Sequence, residues 1–220
     1  MIKCLMSWSS GKDSAWTVHV LRQRGDVEIG ALLTTINEQA QRVAMHAVRV
    51  DVLKAQAESI GAPLWIVPIP SPCSNEEYEA AMAKAVDRAV RERFTHAAFG
   101  DLFLEDIRAY RVEKLNETGI TPVFPLWLKP TDALARDMIA GGLQAHLATV
   151  DLKKLSADFA GRCFDDALLG DLPAGIDPCG ENGEFHSFVT AGPMLSRPIP
   201  VRVGETVERD GFAYADLLVA

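Results

Sequence analysis

Apolar stretches of strand length alternate with longer amphipathic stretches along the first two thirds of this 220-residue chain. In the longer stretches, apolar residues recur with the period of a helix. This alternation is typical of a parallel sheet whose strands are joined by crossover helices, so we predict an α/β fold with a doubly wound parallel sheet. Strands are predicted near residues 2–8, 27–35, 63–69, 96–100 and 144–150, and helices near 14–24, 40–60, 75–93, 105–118 and 131–141. The third helix is predicted to begin with a capping box, in which Ser74 is the N-cap and Glu77 follows three residues later.

The pattern changes after the fourth predicted helix. Three prolines between residues 122 and 130 interrupt the chain, and a stretch rich in glycine and proline occupies 170–183. Three β-like runs follow at 185–190, 199–208 and 212–219. We therefore predict two domains, an α/β domain at 1–126 and a smaller α+β lobe at 127–220, with the strand at 144–150 able to join either sheet.

Residues 7–14, Ser-Trp-Ser-Ser-Gly-Lys-Asp-Ser, lie between the first predicted strand and the first predicted helix. A helix N-terminus offers unpaired backbone N–H groups and partial positive charge, small side chains let a phosphate approach, and Lys12 adds a full charge. The octet therefore predicts a site for pyrophosphate or a nucleoside triphosphate, formed by Ser9, Ser10, Gly11, Lys12, Asp13 and Ser14. The alternative is an ordinary helix start that Asp13 or Ser14 caps.

This loop differs from the P-loop of kinases and GTPases, in which Ser or Thr follows the lysine and the first glycine of the motif lies six residues before it. Here Asp13 follows Lys12, and residues 5–10 contain no glycine. The octet instead resembles the Ser-Gly-Gly-Lys-Asp-Ser loop of the ATP pyrophosphatases, with Ser10 in place of the first glycine. That resemblance implies cleavage of ATP between the α- and β-phosphates, with transfer of AMP to a substrate oxygen and release of pyrophosphate.

Composition narrows the class of partner. The net charge of −8 disfavours extended contact with the phosphate backbone of DNA or RNA, so nucleic acid is not an expected partner. No apolar run approaches the roughly 20 residues of a membrane helix, and the start of the chain lacks the pattern of a signal peptide. The cysteines form no C-x-x-C pair, which favours reduced thiols over a zinc site or disulfide framework. We expect a cytoplasmic protein with no membrane partner.

A second dense group of polar residues fills 177–188, Asp-Pro-Cys-Gly-Glu-Asn-Gly-Glu-Phe-His-Ser-Phe. Loops that combine glycine with reactive side chains more often bind a ligand than merely connect elements. Glu181 and Glu184 are three residues apart, so a helical turn would place both on one face, where they could position ammonia, an amine or Mg²⁺. The alternative is a solvated turn in which Gly180 and Gly183 supply positive φ.

The second loop resembles the Cys-Gly-Glu-Gly-Gly-Glu-Phe segment of the diphthine–ammonia ligase family, also described as a diphthamide-synthesis domain. The resemblance covers nearly the whole chain, through the loop at 9–14, Met45-His46 with Arg49, Gly100-Asp101-Leu102, Pro125-Leu126-Trp127 and the loop at 177–188. It implies an adenine-nucleotide α-hydrolase-like, Rossmann-like domain followed by a substrate lobe. The implied activity is ATP-dependent amide formation, in which a carboxylate is adenylated and ammonia displaces AMP.

Two differences from the family pattern indicate a variant branch. Ser10 replaces a loop glycine, and Asn182, His186 and Ser187 replace the more usual Gly, Glu and Thr. The first change keeps a small side chain beside the phosphates. The changes in the second loop leave the acceptor open, because diphthine occurs only on the archaeal and eukaryotic translation elongation factor.

Lys12, Asp13 and Glu184 are the predicted catalytic residues. Lys12 would neutralise charge on the β- and γ-phosphates as the α–β bond breaks, and Glu184 would accept a proton from ammonium before nitrogen attacks. Asp101 is the preferred ligand of Mg²⁺, although Asp13 could also orient the ion. The expected cofactors are ATP and Mg²⁺.

The nucleotide is expected to contact Ser9, Ser10, Gly11, Lys12, Asp13, Ser14, Thr34, His46, Gly100 and Asp101. Adenine is placed near Thr34 and Asn37 by analogy with the fold. The substrate is expected to contact Arg111, Cys179, Gly180, Glu181, Asn182, Gly183, Glu184 and His186. Arg108 and Arg111 could bind an anionic group, although arginines on helices are often simply solvated. Cys179 is better explained as a pocket-lining thiol than as a nucleophile.

The expected partners are ATP, ammonia and a carboxylate-bearing acceptor, for which a protein side chain is one candidate, and a homodimer is an assembly left open. Two other functions suit the same fold. A tRNA-modifying sulfurtransferase is disfavoured by the acidic charge and the lack of paired cysteines. A non-catalytic ATP sensor would have no need of Lys12 together with a second loop of carboxylates.

Overall fold

The computed structural model describes residues 1–39, 42–43 and 49–219. The strands are β1 (Ile2–Ser7), β2 (Val27–Asn37), β3 (Arg42–Val43), β4 (Leu64–Ile69), β5 (His96–Ala98), β6 (Thr121–Val123), β7 (Gln144–Asp151), β8 (Phe185–Ala191), β9 (Val201–Arg209) and β10 (Phe212–Val219). The helices are α1 (Lys12–Arg24), α2 (Val50–Ile60), α3 (Asn75–Arg91), α4 (Glu105–Leu115), α5 (Thr131–Ala140) and α6 (Asp166–Asp171), with a 3₁₀ turn at Ala157–Phe159.

The N-terminal sheet has parallel strands in the order β4-β2-β1-β5-β6. The long strand β2 pairs with β1 as far as Leu33 and with β4 from Leu32 onward. The short strand β3 runs antiparallel to the end of β2. The predicted Rossmann-like α/β fold is therefore confirmed, and the carboxyl ends of the parallel strands share one edge, where such sheets bind ligands.

Alternate residues of β1 face two different apolar cores, because successive side chains of a strand point to opposite faces. Cys4 and Met6 belong to the larger core, which includes residues of α1, α2 and α5 and continues into the C-terminal sheet. Leu5 belongs to the smaller core, which includes residues of α3 and α4. No helix in the described ranges is long and apolar enough to cross a membrane.

The C-terminal sheet is antiparallel, with strand order β8-β7-β10-β9. The predicted strand at 144–150, left open between the two sheets, is β7 of this sheet. The predicted capping box of α3 is present, since the Ser74 hydroxyl accepts from the Glu77 backbone N–H and the Glu77 carboxylate accepts from the Ser74 N–H.

Two local predictions differ from the structure. Residues 42–43 form β3, although a helix was predicted from about residue 40, because they pair with the end of β2; the neighbouring residues 40, 41 and 44–48 lie outside the described part. Strand β6 was not predicted, because Pro122 indicated a break in the chain. Proline fits here because β6 lies at the edge of the sheet, where a missing N–H disrupts no ladder.

Candidate active site

A polar cavity of about 250 Å³ lies at the carboxyl ends of β1 and β5. It brings together the predicted phosphate-binding loop at 7–14, called the phosphate loop below, the loop at 177–188 and the segment after β5. Its lining consists of Ser7, Ser9, Gly11, Lys12, Asp13, Ser14, Gly100, Asp101, Arg111, Cys179, Gly180, Glu181, Phe185, His186 and Ser187. The two most distinctive motifs of the sequence thus face one site.

The phosphate loop passes directly from β1 into α1. Gly11 is the extended N-cap residue of α1, and the Ser14 hydroxyl donates to the Gly11 carbonyl at 2.9 Å. Ser10 has a φ of +72°, a left-handed conformation that favours glycine. The serine that replaces a glycine therefore occupies a glycine-type backbone position. Its buried hydroxyl also has no hydrogen-bond partner among the described residues.

Lys12 is buried, with only 2% of its surface exposed. Its ammonium lies 2.9 Å from a carboxylate oxygen of Asp13 and donates to the carbonyl of Cys179. Burial alone would lower the pKa of Lys12, but the charge of Asp13 and the hydrogen bond to it raise that pKa above the usual value. The site therefore keeps a buried positive charge at the start of α1.

The glycine after β5 allows close packing against this loop. A Cβ at Gly100 would lie 2.9 Å from the backbone carbon of Asp13, closer than such atoms approach. Gly180 in the second loop has a φ of +69°, and a Cβ there would lie 2.8 Å from the Phe185 carbonyl oxygen. These two glycines let the three segments meet without a gap.

The phosphate loop is held by a residue that sequence reasoning missed. Gln56 of α2 is fully buried, and its amide nitrogen donates to the carbonyls of Ser10 at 3.0 Å and Val189 at 2.8 Å. Its amide oxygen accepts from the Trp8 indole at 3.1 Å, and the Val189 N–H donates to the Ser10 carbonyl. The sequence did contain one indication of this role, a glutamine at a core-facing position of an amphipathic helix. A buried amide needs polar partners, so such a glutamine is expected to hold a neighbouring segment.

The two glutamates of the second loop take different places. Glu181 lines the cavity, and its carboxylate accepts from the Leu102 backbone N–H at 2.7 Å. Burial raises the pKa of Glu181 to about 7, and the charges of Asp13 and Asp101 act in the same direction. This carboxyl group can therefore exchange a proton near neutral pH.

Glu184 is buried but is not among the residues that line the cavity. One carboxylate oxygen accepts from the Asp177 backbone N–H at 3.3 Å and from the Asn182 amide at 3.1 Å. Its other oxygen is buried without a partner in the described part of the chain. Glu184 thus connects the two ends of its own loop, and Asn182 and Gly183 also lie outside the cavity lining.

Asp101 is paired with Arg111. Asp101 Oδ2 lies 2.9 Å from Arg111 Nε, and Asp101 Oδ1 accepts a hydrogen bond of 3.1 Å from Arg111 Nη2. The Arg111 guanidinium carbon also lies 4.4 Å from the Phe99 ring centroid. In the described ranges no three His, Cys, Asp or Glu side chains come together as a metal cluster. Asp13 Oδ1 and Asp101 Oδ2 are both buried without a hydrogen-bond partner among the described residues.

Cys179 and His186 are both held in their neutral forms. The Cys179 thiol donates to the Thr131 carbonyl at 3.4 Å, and burial raises its pKa well above the usual range. Burial lowers the pKa of His186 to about 4, with the charge of Lys12 adding to the effect. A buried thiol of high pKa is a poor nucleophile, so the pocket-lining interpretation of Cys179 is the better one.

Thr34 does not line the polar cavity, because its hydroxyl points back and donates to the Trp8 carbonyl at 2.7 Å. The preceding residue, Leu33, faces the opposite side of β2. There it lines a larger, mainly apolar cavity of about 550 Å³ between the sheet and helices α3 and α4. Ser7 and Arg111 line both cavities. His46 lies outside the described residues.

Two family models match the chain over most of its length. One, described as the diphthamide synthase N-terminal domain, matches residues 2–121, and the other, described as the diphthamide synthase C-terminal domain, matches residues 130–216.

Curated relatives named diphthine–ammonia ligase are similar to parts of the chain. The Homo sapiens protein is 30% identical over 118 residues, which make up 51% of this chain and 44% of that protein. The Bos taurus protein is 25% identical over 191 residues, 80% of this chain and 69% of that protein. The Danio rerio protein is 27% identical over 187 residues, 82% of this chain and 72% of that protein. The chain thus spans less than half the length of the human relative.

Proposed function

This chain belongs to the diphthamide synthase family, and on that premise we propose that it is an ATP-dependent, AMP-forming ligase that joins ammonia to a carboxylate of an acceptor. One observation carries the proposal: Lys12 at the start of α1 and Glu181 of the second loop line the same cavity. A phosphate-binding helix start and a titratable carboxylate are the two groups that adenylation followed by attack of ammonia requires.

ATP would occupy both cavities. Its triphosphate fits the polar one, where α1 directs its N-terminus and Lys12 offers a buried charge. Adenosine fits the adjoining apolar cavity, which Leu33 and Phe99 line and which shares Ser7 and Arg111 with the first. The nucleotide contacts that we retain are Ser9, Gly11, Lys12, Asp13, Ser14, Gly100 and Asp101. Thr34 would support Trp8 rather than touch the base.

The site also suits Mg²⁺. This ion usually takes one or two protein carboxylates together with phosphate oxygens. Asp13 and Asp101 line the cavity, and each has a buried carboxylate oxygen without a hydrogen-bond partner among the described residues. Asp13 would therefore hold the ion, and Asp101 would join only when its pairing with Arg111 opens. Mg²⁺ would supply positive charge to the phosphates of the bound nucleotide.

Glu181 takes the role of the base in this proposal. Ammonium at neutral pH has no lone pair, so a proton must leave nitrogen before it attacks the acyl carbon and AMP departs. The Glu181 carboxylate lies in the cavity and has a pKa raised to about 7, which suits a base that works at neutral pH. Glu184 would act as a positioning residue that fixes the loop carrying Glu181.

The acceptor is proposed to be bound by the C-terminal lobe, 127–220, whose second loop forms one wall of the cavity. Its wall is less acidic than that of the family pattern, because His186 stands where Glu is usual and burial keeps the imidazole neutral. The described cysteines, Cys4, Cys73, Cys163 and Cys179, are free thiols. We propose that the protein functions in the cytoplasm, where thiols are kept reduced.

Product analysis tests the function. ATP is incubated with the protein, Mg²⁺, ammonium and a cell extract, and nucleotides are separated from pyrophosphate and phosphate. AMP with pyrophosphate, absent with Lys12→Ala but present with Lys54→Ala, an exposed lysine of α2, would support the proposal. ADP with phosphate would contradict cleavage between the α- and β-phosphates. Tight ATP binding without turnover, even with extracts from several sources, would favour a nucleotide sensor.

A further inference from the structure

A ladder of arginine and aromatic side chains leads away from the candidate active site. Arg111, paired with Asp101 in the cavity, lies over Phe99 at 4.4 Å, and Phe99 is stacked on Phe124 at 5.4 Å. Phe124 in turn contacts the Trp127 ring edge-on at 6.1 Å. The ladder therefore connects the cavity with the loop that follows β6.

Arg108 ends this ladder. Its guanidinium carbon lies 5.3 Å from the Phe124 ring centroid and 5.0 Å from that of Trp127. Arg108 and Arg111 are three positions apart in α4, so they lie on the same helix face about one turn apart. Since α4 begins just after β5, Arg108 is the one nearer the edge of the sheet at which the cavity opens.

The two arginines differ in their charge partners. Arg111 has both Asp101 oxygens within 3.1 Å. Arg108 is exposed, and among the described residues it has no carboxylate within ion-pair distance. Aromatic rings beside a guanidinium restrict its motion and leave the N–H groups at its edge to bind a planar oxyanion. Arg108 is therefore a preoriented cation that has no anionic partner in the described part of the chain.

We propose that Arg108, held against Phe124 and Trp127, binds a carboxylate of the acceptor outside the polar cavity. This inference rests on the proposed function and refines it. The carboxylate that becomes adenylated must reach the nucleotide inside the polar cavity, and Arg108 does not line that cavity. The group that Arg108 binds is therefore a second one. The acceptor is accordingly a compound or peptide segment with an anionic carboxylate in addition to the one that reacts.

A short segment of the backbone links Arg108 to the cavity in which the reaction is proposed to take place. Residues 101–104 join the two, because Asp101 lies in the cavity, the Leu102 N–H donates to Glu181, and the Leu104 carbonyl accepts from the Arg108 N–H. An acceptor held by Arg108 would thus be fixed against the segment that also orients Glu181. Arg108 would contribute to acceptor affinity and specificity rather than to ATP binding.

The test uses the intact protein labelled with ¹⁵N and follows the arginine Nε–H resonances by NMR. Glutarate is the dicarboxylate probe, and glutaramide, with both carboxylates replaced by amides, is its matched control. The Arg108 resonance is assigned by its loss in Arg108→Lys. We expect glutarate, but not glutaramide, to shift this resonance in a saturable way at millimolar concentration.

Variants measure the contribution of the guanidinium. Loss of hydrogen bonds to a charged group weakens binding about tenfold or more. We therefore expect Arg108→Ala to bind glutarate about tenfold more weakly or worse, and Arg108→Lys to lose less affinity. Arg91→Ala, at an exposed arginine near the end of α3, should bind glutarate like the unchanged protein. An Arg108 resonance that glutarate leaves unmoved, or equal glutarate binding by Arg108→Ala and Arg91→Ala, would overturn the proposal.

A second titration separates this inference from the proposed function. α,β-Methylene-ATP resists cleavage between the α- and β-phosphates and reports nucleotide binding alone. We expect Arg108→Ala to bind it with unchanged affinity. A tenfold loss would assign Arg108 to the nucleotide phosphates and overturn the acceptor site. Failure of the unchanged protein to bind the analogue would contradict the proposed ligase function, whereas the glutarate result would stand independently.

Discussion

The backbone N–H of Lys12 donates a hydrogen bond of 3.1 Å to the hydroxyl of Ser187, which follows 175 positions later in the chain. A Cβ at Gly11 would lie 3.2 Å from the Ser187 carbonyl oxygen, so strand β8 packs directly on the phosphate loop. The start of α1 is therefore completed by the C-terminal sheet. A change in either loop should affect the other.

Replacement of Lys12 by Met should lower AMP formation by about 100-fold or more, since the phosphates lose their buried counter-charge. The change also removes the cation paired with the partly buried Asp13 carboxylate, so some loss of stability is expected. Adding Asp13→Asn should restore much of the stability but not the activity, as measured by urea unfolding and AMP release. Activity that survives in Lys12→Met would remove the phosphate-loop role.

Replacing each glutamate of the second loop by Gln distinguishes the proton acceptor from the residue that positions the loop. Glu181→Gln should leave the affinity for α,β-methylene-ATP nearly unchanged and lower amide formation at neutral pH by about 100-fold or more, because the cavity loses its proton acceptor. Glu184→Gln keeps an oxygen that can accept from Asp177 and Asn182, so it should retain most activity. The opposite ranking in an amide-formation assay would return the role of base to Glu184.

The pH dependence of the ammonia step should follow Glu181. The pKa of this group is raised to about 7, and only its deprotonated form accepts a proton, so activity should be lost below that pH and reach a plateau above it. At constant total ammonium, Glu181→Gln should instead follow free ammonia and rise about tenfold per pH unit without a plateau. Parallel profiles for the two proteins would argue that Glu181 takes no part in proton transfer.

Gln56→Leu should destabilise the fold by about 3 kcal/mol, because the Trp8 indole and the Val189 carbonyl lose a buried partner. The phosphate loop should loosen as well and weaken nucleotide binding. Gln23→Leu, at an exposed position of α1, is the matched control and should change neither quantity. Urea unfolding and titration with α,β-methylene-ATP measure the two effects, and an unaffected Gln56→Leu protein would contradict the role of this amide.

Ser10→Gly should stabilise the protein by about 1 kcal/mol, because residue 10 has a positive φ and the serine hydroxyl is buried without a partner. Gly180→Ala should do the reverse, since its Cβ would approach the Phe185 carbonyl oxygen to 2.8 Å. Thermal unfolding of both variants tests the sign of each change. A less stable Ser10→Gly protein would indicate that the serine supplies a contact that outweighs the backbone strain.

Local patterns were sufficient for most elements. The period of the apolar residues predicted α1, α3 and α5. The capping box of Ser74 and Glu77, which are three positions apart, marked the start of α3. Strands β3 and β6 were not predicted, because they form only by pairing with β2 and β5. Two- and three-residue strands carry too little periodicity to be detected before their partners are known.

The site was predictable in its composition but not in its arrangement. The choice between Glu181 and Glu184 as the cavity carboxylate depends on the left-handed turn at Gly180, and the choice between Leu33 and Thr34 depends on which face of β2 meets the larger cavity. Neither follows from spacing alone.

The sequence by itself determined the α/β class, the strand-loop-helix arrangement around residues 7–14 and the family, because each depends on residues that are neighbours in the chain or on their order. Only the tertiary structure decided that Ser187 and Lys12 meet, that Asp101 is paired with Arg111, and that Arg108 lies on an aromatic support with no carboxylate partner among the described residues. These contacts join segments that are distant in sequence or depend on how a helix is rotated against its sheet. Burial then shifted the pKa values of Glu181 and His186, and no local pattern in the sequence contains that effect.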